Sequence, residues 1–286
     1  MTLRISILFI LLSSGLFAQE SLLGLWQGII VRTGMSINSG SPFFINVIQE
    51  ESRVSGQIRE EVNNTDFFAI AKYYGTIKDS NITFKQVVYQ KKEGNSRITW
   101  CKLEGDLTYN SKTGYLEGTF KSTDCRKSSG KIILYRSNGV FSDDNVRIAS
   151  QSAKDNLIKD LLKGRPAPVI RDIQRKNFIF EPIYFDYDMA DIRQEHEAFL
   201  LRVIEIVDGH SDLRVRVIGN TDSDGTDQYN DKLSRRRAQA IIDFFVQYGI
   251  KADRIEIQFN GERVPVELNS TDDGKQKNRR VEFEFI

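Results

Sequence analysis

The chain has 286 residues, with 40 basic and 39 acidic side chains, 40% hydrophobic and 28% charged residues. That length allows two domains of ordinary size, and the composition is that of a soluble globular protein rather than a disordered or fibrous one. A formal net charge of +1 gives no general case for nucleic acid or for an anionic membrane surface.

Met1 to Ala18 carries Arg4, an apolar run from Ile5 to Leu12, and small residues up to Ala18. It reads as a secretory signal peptide, too short to span a bilayer. The cleavage point has no cysteine, so nothing there supports a lipid anchor. Cleavage would remove one arginine and leave a net charge near zero. No later run is long and apolar enough for a transmembrane helix, so the mature chain is expected to carry none.

Residues 19 to 137 read as β throughout. Strands are predicted at 25–32, 43–49, 54–60, 67–77, 81–90, 97–109, 115–121 and 131–135, with polar and glycine-rich turns between them. About eight short, evenly spaced strands predict a small antiparallel barrel or sandwich. Gly24-Leu-Trp26-Gln-Gly28 resembles the opening Gly-x-Trp of lipocalin-like barrels. A membrane barrel is disfavoured, because Val54 to Glu60 and Leu103 to Leu107 carry charge and are short. Alternating residues such as Phe67, Ile70 and Tyr74 do not separate a filled core from an open, ligand-carrying one. The only cysteines, Cys101 and Cys125, flank a predicted hairpin. In an exported protein this favours a disulfide, with two reduced core thiols as the alternative.

Residues 138 to 177 read as a connection. Ala153, Leu157, Ile158, Leu161 and Leu162 fall at helical spacing, and Gly164-Arg-Pro-Ala-Pro168 predicts a break and a stiff linker. From residue 178 onward, strands (180–186, 212–219, 253–259, 280–286) alternate with helices (191–208, 228–248). This predicts an α/β sandwich with both helices on one face of a mixed sheet.

The most informative stretch is 213 to 237. Leu213, Val215 and Val217 alternate with Arg214 and Arg216, as in a half-buried strand. A polar loop follows, Gly219-Asn-Thr-Asp-Ser-Asp-Gly225. In the next helix Leu233, Ala238, Ile241, Phe244, Phe245 and Tyr248 form an apolar stripe at about 100° per residue. Arg237 and Asn230 fall inside that stripe, while Arg235 and Arg236 point away. An inward arginine is costly unless its charge is paired. Two readings stand: a structural ion pair, with Asp222 as the opposite charge, or a half-open anion pocket.

Gly219 to Gly225, Tyr229-Asn230 and Leu233-Ser-Arg-Arg-Arg-Ala238 together resemble OmpA-like peptidoglycan-binding domains. Ile183-Tyr-Phe-Asp-Tyr-Asp188 upstream, and Asn260-Gly-Glu262, Pro265 and Asn278-Arg-Arg-Val281 downstream, match in order. The resemblance covers residues 178 to 286. It implies a ligand, the free D-centre of diaminopimelate in uncrosslinked peptide stems. It also implies that Asp222 takes the ammonium and Arg237 the carboxylate, which its planar fork suits. Thr221 and Asn230 would add hydrogen bonds, Arg280 a second positive contact, and Asp188 a polar edge. Asn220 departs from the family, which usually has histidine there, and Phe259 replaces a usual glycine.

Other chemistry fits less well. His196 and His210 have no nucleophile at a recognisable spacing, and no phosphate loop or hydrolase motif is present, so no enzyme and no cofactor are expected. Asn220, Asp222, Asp224, Gly225 and Asp231 have partial calcium-loop spacing. A strand enters that loop and its last position is Asp rather than Glu, so no metal site is expected. The basic runs at 235–237 and 275–280 lack interleaved aromatics, which argues against nucleic acid. The expected protein is a non-catalytic periplasmic one, cell-wall associated, with attachment to the outer membrane through a partner left open. Its second domain binds peptidoglycan. Its first awaits an unidentified protein or small-molecule partner. The competing class is an interaction scaffold, or a carrier through the barrel, with Asp222–Arg237 as an internal salt bridge.

Overall fold

A computed structural model of the protein describes residues 22–50, 53–126, 128–144 and 147–286; the expected signal peptide lies outside the described residues. The chain forms two compact units, with the division after Ile170.

The first unit is a closed barrel of eight antiparallel strands, each paired with its neighbours in chain order and the last with the first. The strands are β1 (Gly24–Arg32), β2 (Ser41–Glu50), β3 (Arg53–Glu61), β4 (Phe68–Lys78), β5 (Asn81–Glu93), β6 (Leu103–Asn110), β7 (Tyr115–Ser122) and β8 (Ser129–Arg136). Strand alternation sends Trp26, Ile30, Phe43, Ile45, Ile58, Leu107, Leu116 and Leu134 into one interior cluster, where none is more than 4% exposed. Each such side chain contributes about 1.5–3 kcal/mol. Outward positions on β4 to β7 include Lys72, Lys85, Asp106, Glu117 and Lys121, all exposed. An apolar interior with a charged wall is the reverse of a membrane barrel.

Two sequence expectations for the barrel need correction. The strand expected from Arg97 begins only at Leu103. Asn95 explains why: its side chain accepts from Arg97 N–H, its carbonyl accepts from Ile98 N–H, and this local turn uses donors a ladder would need. In β4 the inward residues are Ala69, Ala71 and Tyr73, opposite Glu60, Ile58 and Gly56, whereas Tyr74 faces solvent. Cys101 and Cys125 form a disulfide just beyond the paired ends Leu103 and Ser122 of the β6–β7 hairpin.

Helix α1 (Arg147–Leu162) lays Leu157 and Ile158 on the outer wall of the barrel against Ile29 and Tyr115. Buried polar contacts also join it there. Ser150 donates to Glu61, and Glu61 accepts from Arg59 at 2.8 Å. Gly164 ends the helix region in the left-handed conformation. The following residues are not a stiff linker throughout, because Pro168 opens a short helix, α2 (Pro168–Lys176), at the first helical position, where its missing N–H costs nothing.

The second unit is a four-stranded mixed sheet in the order β11-β10-β12-β9. Its elements are β9 (Ile183–Tyr184), α3 (Glu197–Gly209), β10 (Val215–Gly219), α4 (Asp227–Gln247), β11 (Ile255–Phe259), α5 (Asp272–Asn278) and β12 (Arg280–Phe285). Strand β10 runs parallel to β11 and antiparallel to β12. Leu200, Val203 and Val207 of α3 and Ala238, Ile241 and Phe245 of α4 share one core with Val215, Val217, Val281 and Phe283. Both long helices therefore cover the same face of the sheet. The other face carries a charge ladder in which Arg216 bonds Glu256 at 2.7 Å and Glu284 at 2.8 Å. Helix α5 falls in a stretch read from sequence as loop.

Candidate functional site

Strand β10 ends at Gly219, and the loop 220–226 leads into α4. Helix α4 lies so close that a Cβ on Gly219 would sit 2.0 Å from the Ser234 carbonyl oxygen. Only glycine allows that approach. The contact seats the first half of α4 against the strand end, and with it Asn230, Ser234 and Arg237. Thr226 caps the helix, its hydroxyl accepting from Tyr229 N–H.

Arg237 is wholly buried. Its Nε donates to the Met189 carbonyl at 2.9 Å, Nη1 to that of Asn220 at 3.1 Å and Nη2 to that of Asp186 at 3.1 Å. Its guanidinium also lies over the Phe185 ring. Burial pushes its pKa down to about 10, with the nearby Asp222 opposing the shift, so the group stays charged near neutrality. One side chain thus ties the turn after β9 to the loop after β10. Arg235 and Arg236 are exposed, as the helical spacing predicts.

Asp222 does not pair with Arg237. Its partner is Arg279, the residue just before β12, at 2.7 Å. That pair leaves 5% of the Asp222 side chain and 12% of the Arg279 side chain exposed. Arg279 also donates to Gln276, whose amide reaches the Phe185 carbonyl. Helix α5 therefore supplies the second wall of the site. Asn278 fixes that wall, with its side-chain oxygen accepting from the N–H groups of Val266 and Glu267 and its amide donating to Glu267 and Asn269.

Several buried groups beside this pair have unused hydrogen-bonding capacity. The Thr221 hydroxyl, the Asn230 side-chain oxygen and Arg279 Nε find no partner among the described residues. Asn230 uses its amide on Glu262. Such groups are costly inside a protein unless water or a ligand satisfies them.

The other expected site residues divide. Asp188 stands at the rim in the left-handed conformation, accepts from the Tyr229 hydroxyl, and lies 4.0 Å from Arg236. Arg280 is on the opposite face of the sheet, bonding Glu282 and the Val264 carbonyl, because β12 begins there and its alternation sends Arg280 with Glu282 and Glu284. The second cation near Asp222 is Arg279 instead. Asn220 turns its side chain to Asn260 and Glu282. The acids with calcium-loop spacing face cations: Asp222 pairs with Arg279, Asp224 with Lys275 and Asp231 with Arg263.

The first unit has a cavity of about 500 Å³, outside the barrel wall, between Leu25, Phe44 and Tyr135 on one side and Phe141 and Ala153 on the other. Its buried Arg59 is engaged by Glu61 and by the carbonyls of Ser142 and Asp144.

The second unit is thus an α/β sandwich with both long helices on one face of a mixed sheet and, at one end of that sheet, buried arginines beside one aspartate. The chain belongs to the OmpA family: residues 184–279 match the family model, and Outer membrane protein A of Bordetella avium is 32% identical over 149 residues, 52% of this chain and 69% of that protein. Outer membrane porin F of Pseudomonas aeruginosa is 38% identical over 103 residues, 36% of this chain and 29% of that protein. Among the curated relatives it matches most strongly, the chain spans from 12% to 69% of their length. The solved peptidoglycan-associated lipoprotein from Burkholderia pseudomallei is similar over 37% of this chain and 89% of that one, with 27% identity and a TM-score of 0.36.

Proposed function

We propose that the second unit binds peptidoglycan non-covalently and anchors the barrel to the cell wall, with the diaminopimelate centre of an uncrosslinked stem peptide as ligand. The protein would then work in the periplasm, on the wall. The observation that carries this reading is the Asp222–Arg279 pair at the end of the sheet where the Thr221 hydroxyl, the Asn230 side-chain oxygen and Arg279 Nε have no partner among the described residues. A zwitterion needs one anion and one cation a few ångströms apart, plus neutral hydrogen-bonding groups between them. Asp222 receives the ammonium. Arg279 and Arg237 supply the positive field for the carboxylate, with Arg237 holding the walls in place. Thr221 and Asn230 complete the contacts, and Asp188 stands at the edge.

A scaffold stabilised by an Asp222–Arg237 salt bridge is less well supported, since Asp222 pairs with Arg279 and the Arg237 hydrogen bonds go to backbone carbonyls. A carrier through the barrel is likewise less well supported, since the apolar side chains of the interior pack as one cluster.

The test is co-sedimentation of the full chain with purified sacculi. Asp222→Ala removes a charge-assisted contact worth about 1.5–3 kcal/mol, roughly tenfold to over a hundredfold in affinity. Arg237→Ala is expected to weaken binding at least as much. Arg235→Ala is the control and changes little. Wild-type protein that ignores sacculi would end the proposal.

A further inference from the structure

The proposed function makes no use of the cavity outside the barrel wall. Its volume of about 500 Å³ is that of an ordinary small-molecule site. Leu25 of β1, Phe44 of β2 and Tyr135 of β8 form one wall, because each alternates with a residue that enters the barrel. Ala153 of α1 and Phe141, in the segment after β8, stand on the other side. That segment is tied down at both ends. Ser137 N–H donates to the Leu25 carbonyl at 2.9 Å. Arg59 Nη1 donates to the carbonyls of Ser142 and Asp144, and Lys91 to that of Asp143 at 2.9 Å. Walls fixed in this way lose little entropy on capturing a guest.

The charge on the lining has one sign. Arg59 and Arg136 line the cavity, and no aspartate or glutamate does so among the described residues. Glu61, the partner of Arg59, is outside the lining. Arg136 ends β8, with its guanidinium 5.4 Å from the centre of the Trp26 ring. Burial pulls its pKa below the ordinary arginine value, because a guanidinium short of water holds its charge less well. An anion set against it restores part of that lost solvation, and a carboxylate can accept two parallel hydrogen bonds from one guanidinium. An apolar wall with an arginine beside it therefore matches a molecule with an apolar body and a carboxylate end.

We infer that this cavity binds a small amphipathic carboxylate, a medium-chain fatty acid, with its chain against Leu25, Phe44 and Tyr135 and its carboxylate on Arg136. All the lining residues belong to the first unit, so the inference holds or fails independently of peptidoglycan binding by the second.

The experiment titrates the full chain calorimetrically with three probes that share one alkyl chain, each kept monomeric in solution: decanoate, decanol and decyltrimethylammonium. Wild type is expected to bind decanoate about tenfold or more tightly than decanol, the scale of one charge-assisted hydrogen bond, and the ammonium probe most weakly. Arg136→Gln removes the preference for decanoate and leaves the affinity for decanol the same. Ala153→Phe, whose ring occupies the cavity from α1, abolishes binding of all three. The Arg136→Gln result decides by itself if Ala153→Phe does not fold. Absence of binding by every probe overturns the inference, as does equal affinity of wild type for decanoate and either other probe. An Arg136→Gln variant that keeps the preference, or that loses decanol as well, overturns the assignment of the carboxylate to Arg136. Undiminished decanoate binding by folded Ala153→Phe overturns the placement in this cavity.

Discussion

The two units bury arginine in different ways. In the barrel, Arg59 is matched by Glu61 at 2.8 Å, by two backbone carbonyls and by the Phe68 ring, and Ser150 occupies the other Glu61 oxygen. In the second unit, Arg279 is matched by Asp222, yet its Nε, the Thr221 hydroxyl and the Asn230 side-chain oxygen are unmatched among the described residues. A buried ion pair is weak evidence for anything by itself, since desolvation offsets most of its attraction. The difference between the two arginines is therefore in their neighbours. Where both carboxylate oxygens are engaged within the unit, as at Glu61, the pair closes a structure. Where several beside it have no partner among the described residues, as at Asp222 and Arg279, the pair supports the ligand reading proposed above.

The largest expected effect tests the closed pair. Arg59→Ala leaves Glu61 buried and uncompensated, and should cost about 3–5 kcal/mol of barrel stability. Chemical denaturation monitored at the barrel tryptophans measures it, and co-sedimentation with sacculi should be unchanged in the folded variant. Loss of binding without loss of stability would erase the distinction between the two sites.

Next is a pH effect confined to the barrel. Burial raises the Glu60 carboxyl from 4.5 to about 7, against the pull of Arg32. The folded state thus holds this proton more tightly than the unfolded state. Its contribution is complete below pH 4.5 and is lost as pH rises to about 7, an effect of about 3 kcal/mol. Denaturation midpoints at pH 5 and pH 8 read it out, and Glu60→Gln should flatten the dependence. A barrel that gains stability over that interval in wild type and loses the gain in Glu60→Gln would contradict the assignment.

The smallest effect sharpens the comparison most. Thr221→Val replaces a buried hydroxyl that has no partner among the described residues by a group of the same shape. Such a change is nearly neutral for folding, within about 1 kcal/mol, whereas affinity for sacculi should drop. If Thr221→Val destabilises the domain strongly instead, its hydroxyl has a structural partner and the cleft is not waiting for a ligand.

Much of this was legible in the sequence. Eight strands followed from period-2 alternation and turn residues, and the disulfide from two cysteines flanking a hairpin. The inward direction of Arg237 followed from helical spacing alone, because a 21-residue helix with a clear stripe leaves little freedom. What the sequence hid depends on where a strand begins and on what lies across from it. Arg279 and Arg280 are adjacent and chemically identical. Which of them meets Asp222 is decided by β12 starting at Arg280 in register with Tyr184. Helix α5 is seven residues long with no apolar stripe, and its only local signal is the Thr271 cap ahead of Asp272 and Asp273. Of the two readings left open for Arg237, the ion pair with Asp222 is not what the structure holds, for a related reason. An inward cation suggested a carboxylate, but three carbonyls from two turns satisfied it, and backbone conformation is not written in side-chain spacing.

The Arg237 clamp bears on how long a ligand stays. The segments it joins, residues 186–189 and Asn220, are outside the paired strands, and one guanidinium holds them to each other and to α4. Walls fixed before arrival need not be ordered at the moment of capture, so little conformational entropy opposes binding. Departure, in contrast, requires the ligand to break its contacts without help from a loosening cleft. For an attachment to a polymer, this places the control in the dissociation rate. On the proposed reading, the protein would be retained on the wall through long residence at each site.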